Sequence, residues 1–576
     1  MKKNILIKGA MSLLLVGTLA SCSSDYLQTD PLSSVTDTTV FQSTKEAQYA
    51  VNGLSQLMAF PMGGNQDGYP CGNVGEAYLM TLWGSAFGQD YFNEHLGMFQ
   101  GGQLMNLNQF TNTRYGINSQ IYGYLYTIVK QANSILEVID NVPENAEGER
   151  DQIKAEALVY RAHAYVRLLQ LWGPRWSDSD NGNRKTVVLR TTSDVGPSPL
   201  VPMNDVLALI YEDCNTAISL FQQEAVAAQP RANVGVPDLS VAYGVLARAA
   251  LLKNDWATAE TAAHNAQIGH EIMSAEQWCS GFMEWNDDYM WSNSVNADDM
   301  LGNASWGSRN ACNGHYPVYW QMGAGSMNVD LYRMLDENDI RRTRFMFPDN
   351  LRTISASIKD ANWWNDRYVD MTTMNIYVDP VKNRSWVMNI MRYGAKMTPE
   401  PPSYADKVVA AYTDITGGNG TPFVQFGAQY KFYVAGGSDQ FSQYPYMRSA
   451  EMLLTEAEAC YEQGKIQQAQ ALITKLCQKR IEGYTSCTLT GEALRDEIRL
   501  QRRIELWGEG VGFFDQKRWG VHLIRRAWVA GDTTSGNVPS TNAMDIAPDQ
   551  CNHWVLAIPS VEYEYNEMVQ ENELRW

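Results

Sequence analysis

The segment AYGVLARAALLKNDWATAETAAHNA, residues 242–266, decides the fold class of this chain. Alanine and larger apolar residues recur at helical spacing on both sides of Asn254-Asp255, a pair that favours a turn. Small residues at a helix crossing allow two helices to lie close together. The segment therefore predicts a helical hairpin whose apolar faces must pack against neighbouring helices.

The same pattern returns elsewhere in the chain. Apolar stripes at helical spacing cover residues 121–139, 158–172, 206–221 and 450–476. Trp172-Gly173-Pro174 predicts a helix end, because proline lacks the backbone N–H and disfavours helix at the residue before it. The repeats resemble degenerate tetratricopeptide units. We therefore predict a mainly α fold: a tetratricopeptide-like scaffold of helical hairpins with a large loop-rich insertion lobe.

The insertion lobe is expected between residues 273 and 445, where Gly, Asn, Ser and Asp become frequent and helical stripes become sparse. This change in composition divides the chain into four predicted parts. They are a leader at 1–21, an N-terminal helical region at 22–272, the aromatic loop lobe at 273–445 and a C-terminal helical region at 446–576 that completes the scaffold.

The first residues predict export and lipid attachment. Met1-Lys2-Lys3 is basic, residues 5–19 are mostly apolar, and Leu19-Ala20-Ser21-Cys22 resembles a bacterial lipobox. In such a motif the thiol of Cys22 receives a diacylglyceryl group, and more than one acyl chain gives stable anchoring. The alternative is an ordinary signal peptide with a chance cysteine. We predict that Cys22 is lipidated and anchors the chain to a membrane.

Composition narrows the classes of ligand. The 576 residues carry a formal net charge of −19, which argues against nucleic acid, because phosphates require a basic face. The chain also contains 17 Trp and 30 Tyr, more aromatic surface than a core of helical stripes needs. These rings suit a ligand with flat apolar faces, such as a sugar.

Sequence motifs of catalysis and of metal binding are missing. The chain has no GxSxG, HExxH or P-loop motif, and its seven His lack the spacing of metal ligands. We therefore predict no catalytic residue, no metal site and no cofactor. The acidic stretch 178–183 misses the register of an EF-hand, so a solvated turn is favoured over a calcium site. Eight cysteines follow Cys22 without a CxxC pair and are expected to be free and buried.

The segment RRIELWGEGVGFFDQKRWG, residues 502–520, combines charged and aromatic side chains. Arg502, Arg503 and Glu505 beside an apolar turn predict a buried or half-buried ion network. Phe513-Phe514 and Arg518-Trp519 predict packing of cations over rings. Both features are interpreted as determinants of the fold rather than as ligand contacts.

Segments spread over almost the whole chain resemble the SusD/RagB family of outer-membrane nutrient-binding lipoproteins. The order of these segments and the lipobox together make the resemblance specific. The matching segments are 25–31 after the lipobox, 126–136, 156–173, 339–342, 446–457, 502–520 and the tail from Ile558 to Asn572. Trp507-Gly508 and the spacing of the tail depart from the best-known starch binders, so starch itself is not the expected ligand.

The resemblance implies a non-catalytic binder on the outer membrane that faces the extracellular side. It implies a SusC-like TonB-dependent transporter as the partner that receives an oligosaccharide, a peptide or another nutrient. It also implies that Trp83 and Asp90 lie where family members often place residues that bind ligand.

The loop lobe supplies the other candidate ligand residues. Sugar recognition needs aromatic faces against the C–H faces of the rings and polar groups for the hydroxyls. Residues 278–320 interleave aromatic rings with Asn, Asp and Arg. The predicted ligand contacts in this span are Trp285, Tyr289, Trp291, Trp306 and Trp320. The alternative for each ring is that it forms the core of a lobe without aliphatic stripes.

Three other functions stay open at this point. A SusD-like protein could bind peptide instead of glycan. A helical-repeat adaptor would bind only proteins in a groove of the scaffold, and would leave the aromatic lobe without a use. A surface glycosidase would need a pair of carboxylates at a defined separation, and 64 acidic residues make some pair inevitable.

Overall fold

The computed structural model describes residues 41–59 and 116–282, parts of 75–114 and of 285–347, short segments between 367 and 432, residues 444–527 and most of 529–575. The predicted leader and its lipidation site Cys22 lie outside the described residues. Trp83 and Trp320 lie outside them as well.

Helices form most of the described structure, which confirms the mainly α prediction. We number the longer helices in chain order. They are α1 (Thr44–Ala59), α2 (Gly116–Val138), α3 (Glu149–Trp172), α4 (Met203–Phe221), α5 (Leu239–Lys253), α6 (Trp256–Ala266), α7 (Ser449–Glu462), α8 (Ile466–Cys477), α9 (Gly491–Glu505) and α10 (Gly512–Trp519). Shorter helices span Glu224–Ala227, Ala275–Trp278, Trp306–Asn310, Val329–Arg333 and Ser560–Tyr565.

The long helices stack in sequence order, as expected of a tetratricopeptide-like scaffold. Helix α2 packs on α3, α3 on α4, α4 on α5 and α5 on α6. Helix α6 then packs on α7, although the loop-rich residues lie between these two helices in the sequence. The chain thus leaves the stack after α6 and rejoins it at α7, so that helices on both sides of the inserted residues pack together.

The hairpin predicted from residues 242–266 is the pair α5 and α6. Asn254 ends α5 in the left-handed conformation at φ 57°, and its N–H donates to the carbonyls of Ala250 and Leu251. The carboxylate of Asp255 then caps α6 by accepting the N–H of Thr258 at 3.2 Å. The predicted turn pair therefore ends one helix and starts the next.

The described strands are short and pair in antiparallel fashion. The pairs join β1 (Tyr91–Phe92) to β5 (Ser326–Met327), β2 (Lys185–Val188) to β3 (Leu200–Pro202), β4 (Tyr289–Ser292) to β11 (Pro445–Arg448), β9 (Ala395–Lys396) to β10 (Phe423–Val424) and β12 (Leu523–Arg525) to β13 (Met544–Ile546). The remaining strands, β6 (Arg367–Asp370), β7 (Asn375–Val378) and β8 (Val387–Asn389), form one sheet. Several of these pairs join residues that are far apart in the chain.

A buried ion pair connects three helices of the scaffold. Arg161 on α3 donates to both carboxylate oxygens of Asp213 on α4, at 2.8 and 2.6 Å. Its third contact is the side-chain oxygen of Asn133 on α2, at 2.8 Å. Because both partners satisfy the guanidinium in a buried place, the pair fixes the register of the three helices.

The cysteines that the structure describes are free thiols, as predicted. Cys214, Cys460, Cys477, Cys487 and Cys551 are buried, and Cys279 is partly buried. Burial raises the pKa of the Cys551 thiol to about 12, so this thiol is neutral in the core. Within the described ranges, no helix combines the length and the apolar character that a membrane crossing requires.

The buried carboxyl of Glu156 on α3 predicts a measurable pH dependence of stability. Burial raises its pKa to about 7, although Gln48 and Gln152 donate to it at 3.1 and 3.0 Å. Stability that depends on the protonated form is fully present below pH 4.5 and is lost as the pH rises to about 7. We expect Glu156→Gln to raise the melting temperature by about 2 °C at pH 8.

At pH 3.5 the same variant should melt close to the unmodified protein, because Glu156 is then mostly protonated in both the folded and the unfolded state. Glu212→Gln, at an exposed position on α4, is the matched control and should leave the pH dependence unchanged. Thermal unfolding followed by circular dichroism at the two pH values measures the effect. If Glu156→Gln raises the melting temperature equally at both pH values, the charge of Glu156 is not the cause of the increase.

Candidate functional site

Trp285 is the predicted ligand residue that the structure places at the surface. Its side chain is 48% exposed, at the start of the turn that leads into β4. Of the two residues that follow, Asn286 is half-buried and Asp287 is exposed. An exposed indole beside polar side chains has the composition that a sugar ring needs: a flat apolar face and nearby hydrogen-bonding groups.

The turn that carries Trp285 is held by its own hydrogen bonds. The side-chain oxygen of Asn286 accepts the N–H of Asp288 at 3.0 Å, and its carbonyl accepts the N–H of Tyr289 at 2.9 Å. An asparagine that bonds to the backbone two residues later stabilises a turn of this kind. The carbonyl of Asp287 also lies 3.0 Å from Nδ1 of His270.

A buried salt bridge ties the same turn to the C-terminal part of the scaffold. The carboxylate of Asp288 has no exposed surface and accepts a hydrogen bond from Arg448 at 2.6 Å. Its other oxygen accepts the N–H of Ala450, in the first turn of α7, at 2.9 Å. The indole of Trp285 is therefore presented from a fixed base, which lowers the entropy lost when a ligand binds.

Arg448 belongs to a larger buried network, as the sequence predicts for residues 502–505. Glu509 accepts two hydrogen bonds from Arg448, both at 2.7 Å, and a third from Lys431 at 2.6 Å. Glu505 accepts two from Arg480 at 2.9 and 3.0 Å and one from Arg341 at 3.1 Å. Arg448 also lies 3.4 Å from Glu505, so Glu509 is shared by two cations and Glu505 by three, which satisfies the charges in a buried place.

The network shifts the pKa values of its members strongly. Burial opposes ionisation of Glu505, but the guanidiniums of Arg480 and Arg448 outweigh it and hold the pKa of this carboxyl well below its usual range. Burial lowers the pKa of Lys431 to about 8, and the carboxylate of Glu509 limits the shift. Glu505 is therefore an anion at neutral pH, and its charge is matched within the core.

Cations also lie over rings in this region, as predicted. The guanidinium carbon of Arg518 is 5.5 Å from the centroid of Trp519, and that of Arg167 is 5.9 Å from Phe514. Arg518 also donates to both oxygens of Glu458 at 2.9 and 2.8 Å. These contacts confirm the predicted packing of cations over rings in residues 502–520.

The structure places Tyr289 and Trp291, two of the predicted ligand contacts, in the core. Both lie in β4 without exposed surface. The indole N–H of Trp291 donates to the carbonyl of Gly235 at 2.7 Å, and its ring packs 4.8 Å from His163 and 5.7 Å from Tyr446. A ring enclosed by the core has no face left for a sugar, so the alternative of a packing role holds for both residues.

Trp306, another predicted ligand contact, is also buried. Its side chain is 7% exposed and its ring stacks on Tyr444, with the centroids 4.2 Å apart. Phe432 covers it further at 5.2 Å. Trp83 and Trp320 lie outside the described residues, and their contact with ligand stays a prediction.

Asp90, which was also predicted to bind ligand, joins distant parts of the scaffold. Its carboxylate accepts two hydrogen bonds from Arg503 at 2.9 and 2.6 Å and one from Gln516 at 2.7 Å. Its carbonyl accepts the indole N–H of Trp507 at 2.9 Å. Because both carboxylate oxygens are occupied, Asp90 is committed to holding its segment against α9 and α10.

The acidic stretch 178–183 forms a hydrogen-bonded turn. Asp178 accepts a hydrogen bond from Arg175 at 2.7 Å and lies 3.1 Å from Nδ1 of His553, while Ser179 accepts the N–H of Gly182 at 2.8 Å. Among the residues that the structure describes, no group of three or more His, Cys, Asp and Glu side chains is arranged to hold a metal ion.

The sequence did not predict the Asp288–Arg448 salt bridge that holds the turn of Trp285. In the sequence, Asp288 is one of many polar residues within 278–320, and Arg448 lies in the segment 446–457 that resembles the family. A weak signal was present, because Arg448 directly precedes the apolar stripe of α7, where an unpaired charge is unfavourable. Its partner could not be identified, since Asp288 lies far away in the sequence.

Two family models match the chain. The model of the SusD family matches residues 285–573. A second model, described as starch-binding associating with outer membrane, matches residues 79–251. Together they cover most of the helical scaffold, without α1 and α6, and the turn that carries Trp285.

One curated relative is a SusD-like protein of Bacteroides ovatus, 21% identical over 261 residues. The match covers 44% of this chain and 40% of the relative's length. This chain therefore spans less than half of that relative.

Solved structures share the fold over nearly the whole chain. A SusD-like carbohydrate binding protein from Bacteroides vulgatus has a TM-score of 0.68 at 19% identity, with 93% of this chain and 99% of that chain covered. A SusD superfamily protein from Bacteroides thetaiotaomicron has a TM-score of 0.63 at 16% identity, with coverages of 92% and 99%. At sequence identities of 19% and 16%, this structural similarity shows only that the fold is shared.

Proposed function

Because this chain belongs to the SusD family, we propose that it binds an oligosaccharide or polysaccharide outside the cell and delivers it to a SusC-like TonB-dependent transporter. The matched models describe a family that binds starch and associates with the outer membrane. A structural neighbour is described as carbohydrate binding. The departures of this sequence from the starch binders favour another glycan as the ligand.

The exposed indole of Trp285 on its anchored turn is the observation that supports this proposal most. A sugar ring stacked on an indole gains from the apolar area that both lose to water. The Asp288–Arg448 salt bridge at 2.6 Å holds the turn before ligand arrives. Asp287 lies two positions further on, and its exposed carboxylate can accept hydrogen bonds from sugar hydroxyls.

We propose a binder and not an enzyme. A glycosidase needs two carboxylates that reach the scissile bond. The buried carboxylates of Glu76, Glu505 and Glu509 are at most 4% exposed and are paired with arginine. Incubation of the protein with glycans, followed by chromatography of the products, should show no cleavage, and released oligosaccharides would contradict this part of the proposal.

Isothermal titration of the purified protein with plant, host and microbial glycans tests the binding function. We expect saturable binding of at least one glycan and no binding of mixed peptides. Binding of peptides alone would favour the peptide-binding alternative. Absence of binding to every glycan would contradict the proposal.

The proposed location rests on Cys22. We expect Cys22→Ala to move the protein from the membrane fraction to the soluble fraction, because the acyl chains supply the attachment. The measurement is fractionation of cells followed by immunoblotting, with Ser23→Ala as the matched control that keeps the membrane location. Retention of the Cys22→Ala protein in the membrane fraction would contradict lipid anchoring at this residue.

A further inference from the structure

A cleft of about 290 Å³ lies between α2, the loop that follows β2 and the short helix Ser560–Tyr565. None of its lining residues belongs to the turn of Trp285. The tail of the chain, which carries part of the family resemblance, contributes Glu562 to its wall. The cleft has the volume that a small ligand of about one or two sugar rings occupies.

Tyr126 of α2, which is half-buried, gives this cleft an aromatic wall, and Tyr122, only 4% exposed, packs against it. The rings of Tyr122 and Tyr126 lie 4.6 Å apart at an angle of 51°. Tyr126 is held in place because its hydroxyl donates to the carbonyl of Val188 at 2.6 Å. A fixed aromatic wall of this kind suits the C–H face of a sugar ring.

The loop opposite α2 is held by side chains of the scaffold. Asn133 donates to the carbonyls of Arg190 and Thr192 at 3.2 and 2.8 Å. Glu137 accepts the N–H and the hydroxyl of Ser193 at 2.7 and 2.6 Å. The cleft is therefore preformed on this side, and binding would not require the loop to become ordered.

The tail is joined to the same loop through Asn566. Its side chain donates to the carbonyl of Ser198 at 2.7 Å and accepts the N–H of that residue at 3.2 Å. It also donates to one oxygen of Glu562 at 2.6 Å. These bonds position the carboxylate of Glu562 at the wall of the cleft. Asn566 bonds to one of the two carboxylate oxygens only.

The charges that line the cleft balance one another. Lys130 and Arg190 supply two cations, and Asp194 and Glu562 supply two anions. Such a set matches a ligand without net charge that offers both donors and acceptors, because each hydroxyl of a sugar can do both. A strongly charged ligand would meet two groups of its own sign.

We propose that this cleft binds a short uncharged saccharide as a second site, in addition to the Trp285 turn. The inference rests on the proposed glycan-binding function and extends it. Two sites on one protein could hold a long glycan at two points, which raises the effective affinity without new contacts at either site.

Gly123 offers a substitution that closes the cleft without disturbing its walls. It lines the cleft from α2, and a Cβ placed on it would meet no heavy atom within 4 Å. Gly123→Trp should therefore fill the cleft with an indole. Gly123→Ala is the matched control, because it adds helix propensity at the same position without the bulk.

Binding is measured by saturation-transfer NMR with maltose, cellobiose and xylobiose, and with glucuronic acid and dialanine as other ligand classes. Trp285→Ala is the background, so that the first site does not contribute. We expect a neutral disaccharide to bind the Trp285→Ala protein and the Trp285→Ala/Gly123→Ala protein equally. The Trp285→Ala/Gly123→Trp protein should bind it at least tenfold more weakly.

Equal affinity of the alanine and tryptophan variants at Gly123 would overturn the second site. Binding of glucuronic acid or dialanine alone would overturn the ligand class. If the unmodified protein binds a glycan but the Trp285→Ala protein binds no disaccharide, the cleft is refuted and the proposed function stands. If Gly123→Trp abolishes binding while Trp285→Ala has no effect, the cleft stands and the role of Trp285 fails. If the unmodified protein binds no sugar, both are overturned.

Discussion

Glu505→Ala is expected to lower the free energy of unfolding by about 3–5 kcal/mol, the range found when one partner of a buried ion pair is removed. Glu505 is fully buried and accepts hydrogen bonds from Arg480 at 2.9 and 3.0 Å and from Arg341 at 3.1 Å. The substitution leaves these guanidiniums in the core without their shared anion. Denaturation by urea, followed by intrinsic fluorescence, measures the loss.

The matched control is Glu492→Ala, on the same helix α9. The side chain of Glu492 is 85% exposed and its nearest contact with Arg495 is 3.6 Å. A surface pair of this kind contributes about 1 kcal/mol or less. Losses of equal size for the two variants would contradict a stabilising role of the buried network.

The pH dependence gives a second readout of Glu505. Its folded-state pKa is held well below 4.5, so its contribution is present above pH 4.5 and is lost only as the pH falls toward the folded value. The difference in stability between the unmodified protein and Glu505→Ala should therefore persist at pH 4.5 and shrink at much lower pH. A difference that already disappears near pH 5 would contradict the strong ion pairs.

Trp285→Ala is expected to weaken glycan binding roughly a hundredfold, the size of effect that an aromatic anchor produces at the centre of an interface. Because the side chain is 48% exposed, its loss should cost little stability. Isothermal titration with the best ligand of the glycan panel measures the change. Thermal unfolding of the variant should match that of the unmodified protein within about 2 °C.

Two controls separate stacking from other effects. Trp285→Phe keeps a flat ring and should retain most of the affinity. Tyr49→Ala removes an aromatic side chain that is 62% exposed on α1, outside the turn, and should leave binding unchanged. Equal binding by the unmodified protein and Trp285→Ala would refute Trp285 as a ligand platform.

The scaffold was predictable because its signals are local. The stripe and turn of residues 242–266 predict α5 and α6, and the Trp172-Gly173-Pro174 stop marks the end of α3 at Trp172. Helical periodicity and turn residues act over a few positions, so they are visible in a single sequence. The ion network of residues 502–505 was predictable for the same reason, although its partners were not.

The candidate site was predictable only in part, because the burial of its aromatics depends on distant partners. Trp285 and Trp291 lie six positions apart in similar local sequence, yet one is 48% exposed and the other is fully buried. The difference comes from the pairing of β4 with β11, in which Trp291 lies opposite Met447. All four residues of β4 are buried, so the strand lacks the alternation that would have identified it.

The central claim is that the indole of Trp285 is a sugar platform on an anchored turn. A crystal structure of the protein with the best oligosaccharide of the panel tests it most directly. The account predicts a sugar ring in van der Waals contact with the indole face of Trp285 and an intact Asp288–Arg448 salt bridge. A sugar bound elsewhere, with the indole of Trp285 facing only solvent, would contradict it.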